Sequence, residues 1–279
     1  MSAKVYEIVT NRIIEELEKG VIPWRKPWTG GRGGAYNRIS RKPYSLINQM
    51  LLQHSGEYAT FKQWQSLGGK VRKGEKSEIV TFWKMIETET VKADGTTEKK
   101  MIPMLRYYPV FHVSQIEGVE PLEKPFEDVE PIEAADKIIV DYVSREGLTF
   151  VETVTDEAYY SPSRDMVQVP AKEQYGAIAE YYSTTFHELT HSTGHAKRLN
   201  RLTTGIKAAF GGEEYSKEEL TAEIGAASLL NHLGIETPES FRNSAAYIQS
   251  WLKALRGDAR MIVTAASRAE KAVAYILGA

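Results

Sequence analysis

Five residues, His187-Glu188-Leu189-Thr190-His191, constrain this chain more than any others in it. Residues four apart on a helix share a face, and the surrounding run "YGAIAEYYSTTFHELTHS" reads as a helix that Gly194 stops. Both imidazoles then aim at one spot. A pair of imidazoles so placed is the core of a metal site, and Glu188 beside them can take a proton from a water that the metal activates. The chain contains no cysteine, so its metal donors are nitrogen and oxygen and it has no disulfide.

Two histidines need a third donor. The segment "EELTAEIGAASLL" offers Glu218, Glu219 and Glu223 in an amphipathic helix whose other members are small or apolar. Carboxylates on the inner side of a helix are costly unless a metal or a partner holds them. Glu219 is expected as the third ligand and Glu223 as the acceptor that orients His187, with the reverse assignment as the alternative; Glu218 is expected in solvent. His195 lies two residues short of the third histidine in H-E-x-x-H-x-x-G-x-x-H, because that position is Lys197. It reads as a polar residue at the helix end. Zinc is the default for two His and one Glu, with manganese also compatible. Such a site suits peptide-bond hydrolysis. The strand "MVQVP" could pair with an extended substrate, and Tyr215 or Tyr182 could stabilise the oxyanion.

The 279 residues suggest two domains. Apolar steps of three and four from Val5 to Leu17 mark a helix ending at Gly20, "SLINQMLLQH" reads as a second helix, and residues 78–113 look like a β-hairpin around "ADGT". The acidic, proline-bearing segment "EGVEPLEKPFEDVEPIEAAD" then places a boundary near residues 118–134. Beyond it, "AYYSPSRDMVQVP" suggests two short strands around a turn, and helices fill 217–233 and 239–277. A small sheet followed by helices points to an α+β fold. No run is apolar enough to cross a bilayer and the first residues do not resemble a signal peptide, so no membrane partner and a cytoplasmic location are expected.

Charge divides the chain. Residues 1–86 carry 15 Lys/Arg against 7 Asp/Glu, and the remainder 20 against 30. Between Glu18 and Glu57 there is no acid at all, while aromatic and basic residues alternate. Cations neutralise phosphates and aromatic faces stack on unpaired bases, which suits single-stranded nucleic acid better than a duplex. Trp24, Arg25, Lys26, Trp28, Arg38, Lys42 and Tyr44 are the candidate contacts, joined by Lys73 and Lys76 from "GGKVRKGEK". Trp24 and Trp28 could equally be core anchors.

The stretches "IPWRKPW", "PYSLINQMLL", "LGGKVRKGEKSEIVTFW" and "YYPVFHVSQIEGV" together resemble the N-terminal domain of ArdC-type antirestriction proteins of conjugative plasmids and phages. "AYYSPSRDMVQVP", "HELTHSTGHAKRLNR", "EELTAEIGAASLL" and "SAAYIQSWLKAL" resemble the zincin-like metallopeptidase domain that follows in that family. The resemblance implies an α/β single-stranded-DNA-binding domain over residues 1–126, an acidic linker over 127–136 and a zincin-like, gluzincin-type domain over 137–279. It assigns His187, His191 and Glu219 to a metal and Glu188 to catalysis. The position of Glu223 is usually Asn or Asp in related metallopeptidases, so its longer side chain is a departure. Two functions are then open: a DNA-tethered peptidase acting on an unknown protein substrate or restriction-system partner, and a non-catalytic protein that coats entering single-stranded DNA and uses its metal domain to dock a partner or stiffen the fold.

Overall fold

The computed structural model describes residues 2–25, 34–91, 97–122, 131–202, 213–235 and 245–279. The first apolar steps form α1 (Ser2–Glu18), which buries Val5, Val9, Ile13 and Leu17 at the spacing of one helix face. Next come β1 (Ala35–Asn37), α2 (Leu46–Leu51), β2 (Gly56–Ala59), α3 (Phe61–Ser66), β3 (Lys70–Val71), β4 (Glu78–Val91), β5 (Thr97–His112) and β6 (Ile116–Glu117). The expected hairpin is β4 against β5, paired antiparallel from Glu78↔Val110 to Val91↔Thr97. These strands join a mixed sheet of order β1-β2-β5-β4, beside a small β3-β6 ribbon. β4 is an edge, and an edge exposes unpaired backbone. Asn48 of α2 covers part of it: its Nδ2 donates to the Thr81 carbonyl (2.8 Å), and its Oδ1 accepts from the Thr81 amide (2.7 Å).

The second half holds α4 (Pro131–Glu146), β7 (Thr149–Thr153), β8 (Tyr159–Ser161), β9 (Met166–Pro170), α5 (Ile178–Ser192), α6 (Glu213–Leu233), α7 (Ala245–Gly257) and α8 (Met261–Leu277). Helices thus follow a three-stranded sheet, the α+β order read from the sequence. Residues 131–136, placed in the acidic linker, instead open α4. Pro131 sits at its first position, where a missing N–H costs nothing, and Ala135, Ile139 and Tyr142 give it a buried face. The strand "MVQVP" also needs correction. It is β9, in the middle of the order β7-β9-β8, parallel to β7 and antiparallel to β8, so its backbone is already committed and does not offer a free edge to a substrate.

Two main hydrophobic cores meet on shared helices. One gathers α1, Trp24, α2, Ile79 and Leu105 with Leu220 and Ile224 of α6, α7 and the first half of α8. The other lies among α4, β9 and α5, and it takes Ala226, Leu229, Leu230 and Leu233 of α6 together with Ile276 of α8. α6 is therefore buried on most of its circumference, and the C-terminal helices complete a core begun by α1.

Trp24 belongs to that core. Only 2% exposed, it packs edge-on against Trp251 with ring centroids 6.3 Å apart. This corrects its assignment as a DNA-stacking residue, since no face is left for a base. Trp24→Ala is expected to destabilise the protein by about 3–5 kcal/mol, the range for a buried large aromatic. DNA affinity per folded molecule should not change, which denaturant unfolding and an oligonucleotide titration on the same sample will check.

A buried arginine ties the end of α5 to its surroundings. The Arg198 guanidinium grips Asp165 with two hydrogen bonds (2.8 and 3.0 Å), donates to Glu146 (3.2 Å) and reaches the carbonyl of Ser192 (3.0 Å), the last residue of α5. Tyr160 and Tyr275 donate to Asp165 and Glu146 (both 2.9 Å). Burial alone would raise the Asp165 carboxyl, but the bonds from Arg198 and Tyr160 outweigh it and hold it below its usual range.

Candidate metal centre

α5 and α6 lie side by side, and one glycine allows the close approach. A Cβ on Gly225 of α6 would fall 2.7 Å from Thr190 Cγ2 and 2.8 Å from Thr190 Oγ1. Thr190 has little room to yield, because it is fully buried and its hydroxyl donates to the Phe186 carbonyl (2.7 Å). The contact brings the carboxylates of α6 up to the histidines of α5.

The helical spacing puts the Nε2 atoms of His187 and His191 3.1 Å apart. Glu219 reaches both, with Oε2 at 3.6 Å from His187 Nε2 and Oε1 at 3.5 Å from His191 Nε2. Ligand atoms at zinc distances in a tetrahedron are separated by roughly 3.3 Å. The 3.1 Å between the imidazole nitrogens is close to that spacing, and one ligand atom from each of the three side chains lies within 4.8 Å of the others, so the donor set fits a divalent cation. Among the described residues, these three form the one group of at least three His, Cys, Asp or Glu gathered closely enough to hold a metal.

The remaining acids stand behind the histidines. Glu223 Oε1 lies 3.9 Å from His187 Nδ1, on the side away from Glu219. Glu218 is the surprise. Expected in solvent, it is 9% exposed, with Oε1 3.4 Å from His191 Nδ1. Arg201 holds it with two bonds, Nη2 to Oε1 (2.8 Å) and Nε to Oε2 (3.2 Å). A carboxylate bonded to the outer nitrogen of a histidine fixes the ring and leaves the other nitrogen's lone pair for a metal; Glu218 is within that reach of His191, while Glu223 faces His187 from farther off. Burial opposes ionisation of Glu218, but its bonds to His191 and Arg201 prevail and bring its pKa down to about 2. Likewise, burial disfavours a charged His187, yet the surrounding carboxylates, Glu219 first, raise its pKa to about 9.

Glu188 is on α5 next to His187 and 8% exposed. His195 takes no part in the cluster; its Nδ1 accepts from the Lys197 amide (3.2 Å), as its place at the helix end suggested. Tyr182 is corrected as an oxyanion donor, because it is fully buried and its hydroxyl donates to Asp136 (3.0 Å). The side chain of Tyr215 lies outside the described residues.

In the basic half, Lys26 and Trp28 lie outside the described residues, as does the side chain of Arg25. Arg38 is not a free phosphate contact. It pairs with the buried Glu57 and donates to the Glu120 carbonyl (3.2 Å), tying β2 to the segment after β6. Tyr44 is half-buried, with its hydroxyl accepting from Asn37 Nδ2 (3.3 Å). Lys42, Lys73 and Lys76 are exposed.

A histidine pair on one helix, a glutamate from the next and a small sheet behind them are the arrangement of a zincin-like metallopeptidase domain, and residues 135–268 match the family described in those words. Residues 3–111 match the N-terminal domain of the anti-restriction factor ArdC. The chain belongs to the ArdC-type antirestriction family. The ArdC protein of plasmid R388 is 34% identical in its metal-free crystal structure, with a TM-score of 0.76 over 98% of this chain and 96% of that one. Its Mn(II)-bound structure gives 32% identity and a TM-score of 0.74 over 98% and 97%. The protein y4eC of Sinorhizobium fredii is 35% identical over 96% of this chain and 89% of its own length. Two Escherichia coli proteins named DNA primase TraC are 36% and 35% identical over 98% of this chain, which spans only 27% and 20% of their lengths.

Proposed function

We propose that this protein binds single-stranded DNA of a mobile element as it enters a restricting cell and carries a divalent-metal peptidase centre that acts on a protein met there. The observation that carries the peptidase half is the spacing of three donors from α5 and α6, with Glu188 on the same helix as two of them. His187, His191 and Glu219 would hold zinc or manganese; the Mn(II)-bound relative supports a divalent ion. When bound, the metal supplies Lewis-acid chemistry, polarising a carbonyl and acidifying a water.

The chain's own residues do the rest. Glu188 accepts a proton from the attacking water and delivers it to the departing amine. Glu218, braced by Arg201, holds His191 in one orientation, and Glu223 does the same for His187. The charge division of the chain supports the DNA half: the basic excess lies in residues 1–86, the acids in the peptidase half.

Conjugation supplies the test, because the transferred DNA arrives as a single strand. Producing the protein in a restricting recipient is expected to raise transfer of an unmodified plasmid toward the level seen in a non-restricting host. No rise would contradict the antirestriction reading.

A further inference from the structure

A cleft of about 610 Å³ opens along the β4 edge of the N-terminal sheet, with Val80, Phe82 and Tyr108 lining it from one face and Thr81, Trp83 and Leu105 from the other, within the range of roughly 300–1,000 Å³ that holds compact organic ligands. Its floor is aromatic. Val80 pairs with Tyr108, and Phe82 with Arg106, so all four side chains project from the same face of the hairpin. The Phe82 and Tyr108 rings lie 4.6 Å apart and 31° from parallel, and Tyr108 remains 42% exposed. Tyr44 and Pro43 line one side, and Ser267 and Glu270 of α8 line another.

The charges around it are mostly positive. Arg106 and Lys84 continue the same face toward the hairpin tip, and exposed Lys42 precedes Pro43 at the rim. Glu270 is the acidic residue among those lining the cleft, and burial raises its carboxyl above the usual range while the nearby Leu46 amide at the start of α2 opposes the rise. We propose that single-stranded DNA lies in this cleft, an unpaired base stacking on Tyr108 and Phe82 while phosphates meet Arg106, Lys84 and Lys42. A duplex would keep its bases stacked on one another and leave the aromatic floor unused. The inference rests on the DNA-binding reading above and gives it a place. It also carries a consequence: a bound strand would touch α8, which packs along α6, the helix of Glu219.

The test is a fluorescence-anisotropy titration of the full chain with a labelled oligothymidylate, at two salt concentrations. Tyr108→Ala is expected to weaken binding roughly ten- to hundredfold, and Tyr108→Trp to retain it. Tyr107 is the control, because it is about as exposed (44%) but projects from the other face of the hairpin and is not among the residues lining the cleft; Tyr107→Ala should stay within about twofold. Unchanged affinity in Tyr108→Ala, or equal losses at both tyrosines, would overturn the placement while the wild type still bound DNA. A wild type that fails to bind the oligonucleotide would instead remove the DNA-binding reading itself.

Discussion

Glu188→Gln is expected to lower the rate of protein cleavage by about 10² to 10⁴ while leaving the metal in place. Gln keeps the size and hydrogen-bonding shape of Glu but cannot take up a proton, so the variant separates proton transfer from packing. The side chain is 8% exposed, and a substitution of the same shape leaves the helix contacts intact. Metal content and oligonucleotide affinity should match the wild type, and protection of an entering plasmid should fall with cleavage. Full protection by a metal-loaded Glu188→Gln protein would instead favour the non-catalytic reading, in which the metal domain docks a partner or stiffens the fold.

His187→Ala should remove the metal altogether. The substitution deletes one of three donors and leaves Glu219 and Glu223 on either side of the gap without the imidazole that both approach. Metal analysis of the purified proteins is expected to give one equivalent for the wild type and none for the variant. Unfolding provides a second reading. A metal at a thousand times its dissociation constant stabilises the folded state by about 4 kcal/mol, so added zinc or manganese should raise the wild-type melting temperature and leave that of His187→Ala where it was. A metal-dependent rise of equal size in both would place the ion elsewhere. Glu223→Gln should have a milder effect, a loss of roughly ten- to a hundredfold in metal affinity, as is usual for a residue that orients a ligand.

What could be read in advance was local. The histidine pair follows from helical spacing alone, and the hairpin follows from two strand-forming runs around a turn. Glu219 and Glu223 stood out because acids are rare in an otherwise apolar helix. The same reasoning puts Glu218 in solvent, because it treats a helix as having one wet face. α6 touches both cores and has little solvent face there, and the cation that holds Glu218 is Arg201, which comes from the segment after α5. Nothing in the spacing of either residue announces that pair.

Trp24 shows the complementary failure. A tryptophan among lysines and arginines suits a base-stacking surface, but its partner Trp251 is more than two hundred positions away, on a helix that closes the N-terminal core. Arg38 reads as a phosphate contact because no acid lies near it in sequence, yet Glu57 arrives through sheet pairing. The aromatic cleft was hidden for a related reason. Phe82 and Tyr108 sit on different strands, and only the pairing register puts them on one face.

Anomalous diffraction from crystals grown with zinc or manganese, recorded at the metal's absorption edge, tests the site most directly. One peak per chain is expected, bonded by His187 Nε2, His191 Nε2 and a Glu219 oxygen at roughly 2.0–2.2 Å, with Glu218 and Glu223 outside the bonding distance. An ion ligated by Glu218 or Glu223 in place of Glu219, or no peak between the two helices at saturating metal, would contradict it.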